Sequence, residues 1–368
     1  MTRGRSAARY AVLFAAAFVL YGWLWPQAPV LEGDSPQYLE VARDLADFRL
    51  DTLHDRTPGY PIFLVLTGST GHATRLLFFA TLAIHLASVA LLAALLGAAG
   101  VGRTAVFAFC VVLLLPPYVE PAAHVMTETL AQFTLVAGLV CLVFGVTNGS
   151  RWLLVLSALA FGASALTRPA FQLLAPALAA TLLAFARRCR DRALSVRRAV
   201  AASVVLIAGT VALVGASAWA NYSRVGYFGL TPSLGFHLST KTMTFVERLP
   251  EEYATVREIL VRERDREITR RGGLHTGTQT IWAARPELMA ATGLSKPDLS
   301  AYLVKMNLAL IRTAPMEYLQ DVARSLAGYW FPPAGQLASL DSAAARALWT
   351  LLHVAIVGVF ALQLIAIV

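Results

Sequence analysis

Eight apolar segments run through this chain of 368 residues, and most of them approach the length of a membrane-spanning helix. A bilayer core of ~30 Å needs ~20 helical residues to cross it. The segments are approximately 11–25, 74–97, 103–119, 126–147, 152–167, 170–186, 198–219 and 346–368. Hydrophobic residues make up 57% of the chain and charged residues only 14%, with a mean hydropathy of +0.61. The sequence therefore predicts an all-α, polytopic transmembrane helix bundle of about eight spans.

Basic residues mark one side of this bundle. Counted from a cytoplasmic N-terminus, they fall in the inner segments, at Arg3, Arg5, Arg9, Arg103, Arg151, Arg187, Arg188, Arg190, Arg192, Arg197 and Arg198. The short outer connection 116–126 has no basic residue, and the first outer loop is net acidic. This distribution follows the positive-inside rule, so it predicts a multi-pass protein of the plasma (inner) membrane with a cytoplasmic N-terminus. Much of the net charge of +9 is then a topology signal and not evidence for a nucleic-acid partner.

The first apolar segment has two interpretations, a cleaved signal peptide or an uncleaved helix. Trp23 and Trp25 stand where a cleavage site would need small residues. Tryptophan is typical of the membrane interface, so an uncleaved first helix is favoured.

Three regions follow from this pattern. Residues 1–219 form a transmembrane module whose first outer loop is 26–73, residues 220–345 form an extracytoplasmic helical region, and residues 346–368 form the last transmembrane helix. Within the second region, charge placement and apolar spacing predict helices at 250–271, 296–312 and 315–327. The glycine-rich and aromatic stretch that opens this region reads as a loop.

The first outer loop is unusually rich in charge for a connection between two membrane helices. Between Glu32 and Pro61 it holds seven carboxylates and three arginines. Ser35-Pro36 predicts the start of a helix, and the apolar spacing from Tyr38 to Phe48 predicts that this helix lies flat on the membrane. Asp34 would then stand at the positive end of the helix dipole.

The predicted topology brings further polar residues to the same outer face. Arg56 lies in the first loop, His124 and Glu128 lie around the second connection, and Arg168 begins the third. Glu128 falls in an apolar segment, where a lone charge is costly, so a functional or paired role is expected, with His124 as a candidate neighbour. We therefore expect an active site at this face, centred on Asp34.

Several chemistries are excluded by missing motifs. The chain has no HExxH, GxSxG, P-loop or CxxC motif, and no DxD pair to hold a metal-bound sugar nucleotide. Cys110, Cys141 and Cys189 show no pairing pattern. No cofactor is required by the sequence; Asp51, His54 and Asp55 leave a divalent cation open, although such trios in polar loops usually bind none.

Five motifs in a fixed order carry a resemblance to a known family. They are GDSxxYxxxA at 33–42, RTPGYP at 56–61, TETL at 127–130, LTRP at 166–169 and NYxxxGY at 221–227. Together they resemble the GT-C superfamily of polyprenyl-phosphate-sugar glycosyltransferases, in the branch of protein O-mannosyltransferases and lipid A aminoarabinose transferases. The resemblance covers roughly residues 8–245. It leaves 246–345 unmatched, and the chain ends inside its last apolar segment, as a short or a truncated member would.

The resemblance implies an inverting transfer of a sugar from a lipid-phosphate donor to a hydroxyl on a glycan, lipid or protein, at the extracytoplasmic face. Asp34 matches the general base of the family. Arg56, and after it Arg168, would bind the donor phosphate, while Tyr38, Tyr60, His124 and Glu128 would line the substrate pocket. The alternatives at single residues are that Asp34 only caps a helix, that Arg56 only neutralises an acidic surface and that Arg168 only extends to the membrane interface.

Two other functions remain open at this stage. One is a non-catalytic polyprenyl-lipid translocase or membrane assembly subunit on the same scaffold. The other is a solute transporter, which would place polar residues near the bilayer midplane in symmetric halves. Because the charges collect at one face, the transporter is disfavoured.

Overall fold

The computed structural model describes residues 2–25, 29–49, 55–188, 195–270, 277–330 and 342–367. These residues are helical or irregular, and no strand occurs among them beyond one isolated bridge between Val30 and His124. The chain divides into two compact units, residues 1–231 and 232–368. The prediction of an all-α protein is confirmed.

In its described residues, the first unit contains ten α-helices. They are α1 (Thr2–Leu24), α2 (Ser35–Ala46), α3 (Gly59–Leu66), α4 (Arg75–Ala98), α5 (Arg103–Leu113), α6 (Pro116–Val119), α7 (Glu128–Asn148), α8 (Arg151–Thr167), α9 (Leu174–Arg188) and α10 (Val196–Val225). The second unit contains α11 (Leu234–Ser239), α12 (Ala254–Arg270), α13 (Gly277–Thr292), α14 (Lys296–Thr313), α15 (Pro315–Trp330) and α16 (Ala343–Ile367).

Among the described residues, four helical segments are long and apolar enough to cross a membrane: α4, α7, the stretch 169–188 that includes α9, and α10. A fifth candidate is the pair formed by α5 and the segment 116–123, which is bent by 70°. The described apolar parts of α1, α8 and α16 are shorter. By length and composition, the described residues therefore support four or five spans, as in a membrane-embedded protein, and the predicted count of about eight is not confirmed.

Small residues allow the helices of the first unit to pack closely. A Cβ on Gly162 would come 2.4 Å from Leu213, and one on Gly209 would come 2.7 Å from Ala158. The Ser157 hydroxyl donates a hydrogen bond of 2.8 Å to the Gly138 carbonyl of the neighbouring helix. Close backbone approach and interhelical hydrogen bonds are the usual means of helix association in lipid, where burial of apolar surface gives no advantage.

The third apolar segment is broken and does not form one straight helix. Helix α5 has 11 residues, about 16 Å of helix, and ends ahead of Pro116-Pro117. Proline cannot donate a backbone hydrogen bond, so the two together prevent the helix from continuing. The Tyr21 hydroxyl donates to the Leu114 carbonyl at 2.5 Å, and His85 Nε2 lies 3.3 Å from the Leu113 carbonyl, so α1 and α4 satisfy the broken end.

Helix α2 packs differently from the sequence expectation. Tyr38, Val41 and Ala42 are buried, and the cluster that includes Tyr38 and Ala42 contains Leu64 of α3. Its apolar stripe therefore packs against protein, so the expectation that this stripe rests on the membrane is wrong, whereas the position of α2 at a membrane surface stays a prediction. Phe48 lies beyond the helix end, at φ 57°, and is 91% exposed.

The second unit has its own hydrophobic core, to which α11, α12, α13 and α14 contribute. Asn307 is fully buried in it and donates to the Leu303 carbonyl at 2.7 Å and the Ser239 hydroxyl at 2.9 Å, while its amide oxygen accepts from Thr242. The predicted helices at 250–271, 296–312 and 315–327 correspond to α12, α14 and α15. Helix α13 and the short α11 were not predicted.

Candidate active site

The first and second outer connections are joined by hydrogen bonds. The Val30 backbone donates to the Ala123 carbonyl at 2.8 Å, and the Val125 backbone donates to the Val30 carbonyl at 2.9 Å. The Ser35 hydroxyl donates to the Val125 carbonyl at 2.8 Å. Ser35 was expected to cap α2; instead Asp34 occupies the cap position, and Ser35 ties the two connections together.

The first connection also contacts the end of α8. The Thr57 hydroxyl donates to the Thr167 carbonyl at 3.2 Å. Gly59 packs so closely that a Cβ there would lie 2.6 Å from Thr167 Oγ1 and 2.8 Å from the Leu166 backbone. Since Arg56 and Arg168 adjoin these contacts, the fold brings the two arginine-bearing segments together.

Asp34 and Arg56 form a two-point ion pair. Arg56 Nη2 lies 2.7 Å from Asp34 Oδ1, and Arg56 Nη1 donates to Asp34 Oδ2 at 3.2 Å. The Asp34 side chain makes no hydrogen bond that caps α2. The capping interpretation of this carboxylate is therefore not supported by the geometry, because both its oxygens bind the guanidinium.

Two further side chains, Gln37 and Tyr38, contact the Arg56 guanidinium. Its Nε donates to Gln37 Oε1 at 2.8 Å, and its guanidinium carbon lies 4.6 Å from the centre of the Tyr38 ring, a cation–π contact. The Arg56 side chain is 21% exposed, while that of Asp34 is 55% exposed. Asp34 is thus the accessible partner and Arg56 the fixed one.

Arg168 and Glu128 form a second ion pair. Arg168 Nη1 donates to Glu128 Oε1 at 2.5 Å. The other carboxylate oxygen, Oε2, is buried and has no hydrogen-bond partner among the described residues. Glu128 is therefore paired, as expected for a charge in an apolar segment, and its partner is Arg168, for which donor phosphate or the membrane interface had been expected.

His124 pairs with a carboxylate that the sequence analysis did not single out. His124 Nδ1 lies 2.7 Å from Glu32 Oε1. Its partner is thus Glu32 of the first loop and not Glu128, as had been expected. This third contact again joins the first outer loop to the second.

Tyr38, whose ring contacts Arg56, packs against Tyr60. Their rings meet edge to face, with centres 5.2 Å apart. Burial raises the pKa of both phenols; at Tyr38 the positive charge of Arg56 opposes part of this rise, and the negative charge of Glu128 adds to the rise at both residues. The Tyr60 hydroxyl is fully buried and has no hydrogen-bond partner among the described residues, although the nearby Met126 backbone opposes part of the rise in its pKa.

Two grooves lie on other surfaces. One, of about 320 Å³, is bordered by Leu39, Glu40 and Arg43 of α2 and by Gly71. The other, of about 950 Å³, runs along α12 in the second unit. Asp34 and Arg56 line neither groove.

No group of three or more histidine, cysteine, aspartate or glutamate residues suited to a metal occurs in the described part of the chain. Of the three residues that left a divalent cation open, Asp51 and His54 lie outside the described residues.

The arrangement is thus a set of three ion pairs, in which Arg56, Arg168 and His124 each bind one carboxylate. Arg56 also contacts the buried Tyr38 ring, which packs against Tyr60. Of the contacts, Gln37 and Glu32 were missed from sequence. Gln37 follows Asp34 by three residues at the start of α2, a spacing that places both on one face, so this signal was present. Comparison with protein-family models, with curated proteins and with solved structures finds no match to this chain.

Proposed function

We propose that this chain is a membrane glycosyltransferase that transfers a sugar from a polyprenyl-phosphate donor to a hydroxyl acceptor. The observation that carries the proposal is the two-point pair between Asp34 and Arg56, at outer connections that hydrogen bonds hold together. A carboxylate that can accept a proton and a fixed guanidinium that can bind phosphate are the two groups that this reaction needs.

Donor binding would begin at Arg56. Its two terminal nitrogens bind two carboxylate oxygens, and the same geometry suits two phosphate oxygens. Gln37 and Tyr38 hold the guanidinium in place, so a phosphate can replace Asp34 without moving the arginine. Arg168 is a second cation, which exchanges Glu128 for phosphate in the same way.

That exchange would release Asp34 for its chemical role. Asp34 takes the proton of the acceptor hydroxyl, and the hydroxyl oxygen attacks the anomeric carbon of the donor. The bond from that carbon to the phosphate oxygen breaks, its electron pair leaves with the lipid phosphate, and the configuration at carbon inverts. Arg56 and Arg168 stabilise the negative charge that develops on the phosphate.

The proposed membrane arrangement places this site on the extracytoplasmic face. A cytoplasmic N-terminus and about eight spans would bring the first, second and third outer connections to that face. A lipid-anchored donor then reaches the site from the membrane, and the acceptor is a glycan, a lipid or a protein hydroxyl. No step requires a metal ion.

One observation favours a second function, a non-catalytic translocase or assembly subunit that handles the same lipid. Asp34 is more than half exposed, and its ion pair with Arg56 occupies both groups. A protein that only bound a lipid phosphate would need Arg56 and Arg168 and no free base.

Asp34→Asn separates the two functions. Purified protein in proteoliposomes is given radiolabelled polyprenyl-phosphate hexoses and pentoses, with envelope extract as acceptor source. The wild type should transfer or hydrolyse at least one donor, and the variant should lose ~10² to 10⁴ in rate, because its amide cannot accept the proton. Donor binding should persist, since Arg56 remains.

Asp47→Asn is the matched control. Asp47 lies in the same loop, is 58% exposed and pairs with Arg49 at 3.1 Å, so it shares the setting of Asp34 without the proposed role. It should turn over donor like the wild type. Binding of donor without turnover by the wild type, or full turnover by Asp34→Asn, would contradict the proposal.

A further inference from the structure

Helix α15 packs against the rest of the second unit through its more polar side. The Lys241 ammonium donates to the Ser325 hydroxyl at 2.8 Å, and Arg248 lies 3.9 Å from Glu317. Tyr318 packs against the hydrophobic core of the unit. These residues occupy one face of the helix, and that face is therefore already in contact with protein.

The opposite face is apolar and exposed. Met316, Leu319, Val322 and Leu326 recur at intervals of three, three and four residues, which aligns them along one side of an α-helix. Their exposed fractions are 61%, 55%, 37% and 58%. Gln320 and Arg324 are exposed beside this stripe. An amphipathic helix in a water-soluble domain turns its apolar side inward, and α15 does the reverse.

The membrane is the occupant that the rest of the chain favours. Helix α16 is apolar and follows α15 in sequence. The chain between the two helices, 331–342, spans about 40 Å at full extension, so the end of α15 lies within about that distance of the start of α16 and of a bilayer that holds it. Helix α15 ends with Tyr329 and Trp330, residue types that are enriched at the membrane interface.

We propose that α15 is an interfacial helix, lying in the plane of the membrane with Met316, Leu319, Val322 and Leu326 among the lipid chains. Helices of this kind bury their apolar face ~5–10 Å into the boundary between headgroups and acyl chains. The contacts of Lys241 and the core with its other face then fix the second unit on the bilayer surface. The proposal does not depend on the enzymatic activity.

The test compares Leu319→Cys with Arg324→Cys in the full chain. Both are made in a variant whose native cysteines, Cys110, Cys141 and Cys189, are alanine. Each is labelled with bimane and reconstituted in phosphatidylcholine–phosphatidylglycerol vesicles. We expect doxyl-labelled lipid to quench the label at 319 at least twofold more than that at 324, and aqueous iodide to show the reverse order.

Two results would overturn the proposal. Equal iodide quenching at both positions, without lipid quenching, would show that the apolar face is in water. Protection of position 319 from both quenchers would show that protein covers it, as a second copy of the chain would. If the cysteine-free variant does not fold, photo-crosslinking from p-benzoylphenylalanine at the same positions separates lipid adducts from protein adducts.

Discussion

At the scale of single residues, Arg56 has the most constrained side chain of the candidate site. Gln37, Tyr38 and Asp34 occupy three sides of its guanidinium, which fixes a donor that cannot be deprotonated. The pairing of Arg56 with Asp34 could be anticipated from two outer-face residues of opposite charge. The contact of Gln37 with Arg56 depends on where α2 begins, and the contact of Glu32 with His124 depends on the hydrogen bonds between two loops. Neither feature can be read from the linear sequence.

The variant Tyr60→Phe shows whether the Tyr60 hydroxyl affects the stability of the fold, the binding of substrate, or both. The Tyr60 hydroxyl is fully buried and has no hydrogen-bond partner in the part of the chain that the structure describes, an arrangement that costs ~1–3 kcal/mol of folding free energy. Removing it should leave the melting temperature unchanged or higher. If donor or acceptor binds this hydroxyl, the same variant should show weaker substrate binding. Thermal unfolding in detergent and donor titration measure the two effects.

The same variant makes a prediction about pH. Burial raises the pKa of Tyr60, so the folded state keeps its proton where the unfolded state loses it, at and above pH ~10. The stability contributed by this protonated phenol is full below that pH and falls as pH rises further. Tyr60→Phe should therefore flatten the alkaline loss of stability. Tyr222→Phe, at an exposed residue, should not; equal slopes in all three proteins would argue against this account.

At the scale of elements, the junction between α3 and α8 sets the position of Arg56. Gly59 begins α3 against the last turn of α8, and no side chain fits between them. Two residues of the RTPGYP motif are explained by this junction. Gly59 permits the close approach to α8, and Thr57 makes the hydrogen bond to Thr167 beside it. No helix was predicted at α3 from the sequence, and the sequence did not indicate that this segment would meet α8.

Gly59→Ala tests this junction. The new methyl group would lie 2.8 Å from the Leu166 backbone, which cannot rotate away, so we expect a loss of ~1–3 kcal/mol in unfolding free energy. Weaker donor binding should accompany it, because Arg56 moves with α3. Chemical unfolding and donor titration are the measurements.

Gly33→Ala is its control. Gly33 lies in the same loop, next to Asp34, and no atom stands within 4 Å of an added Cβ. This variant should behave like the wild type. If Gly33→Ala is as destabilised as Gly59→Ala, the close packing at α8 is not the cause.

Helix boundaries show where sequence patterns reach their limit. Helices α12, α14 and α15 carry capping or charge signals at their ends, and all were predicted. Helix α13 has Gly277 at its start and Pro286 within it, two residues that normally argue against a helix. Its burial of Ile281, Ala284 and Leu288 in the core outweighs that local preference. The direction of the apolar stripe of α2 was also misjudged, because the pattern shows which face is buried and not what covers it.

At the scale of the whole molecule, the charge pattern predicts which connections share a side. Hydrogen bonds join the first predicted outer connection to the second and to the start of the third, in agreement with the prediction that these three connections share a side. Composition and hydropathy predicted an all-helical, membrane-embedded chain, which the described helices support; the count of about eight spans and the side of each connection stay predictions. The polar second unit gave no comparable signal, since its charges alternate in sign.

Cysteine labelling tests the proposed orientation. Ala99→Cys, in the turn after α4, and Ala291→Cys, near the end of α13, are both exposed. In intact cells carrying the cysteine-free background, an impermeant maleimide should label position 291 and reach position 99 only after permeabilisation. The positive-inside rule is the reason for this expectation. Labelling of position 99 in intact cells would reverse the assigned sides.

The break at the end of α5 has a consequence for biosynthesis. Free carbonyls at a helix end are unfavourable in hydrocarbon, and here Tyr21 of α1 and His85 of α4 are the groups that meet them. Both helices precede α5 in the chain, so a ribosome delivers the partners before the segment that depends on them. The hydrogen-bond donors for the end of α5 are therefore made before α5 itself. If the insertion machinery released α5 alone into lipid, the carbonyls at its end would lack these partners and the helix would be unstable.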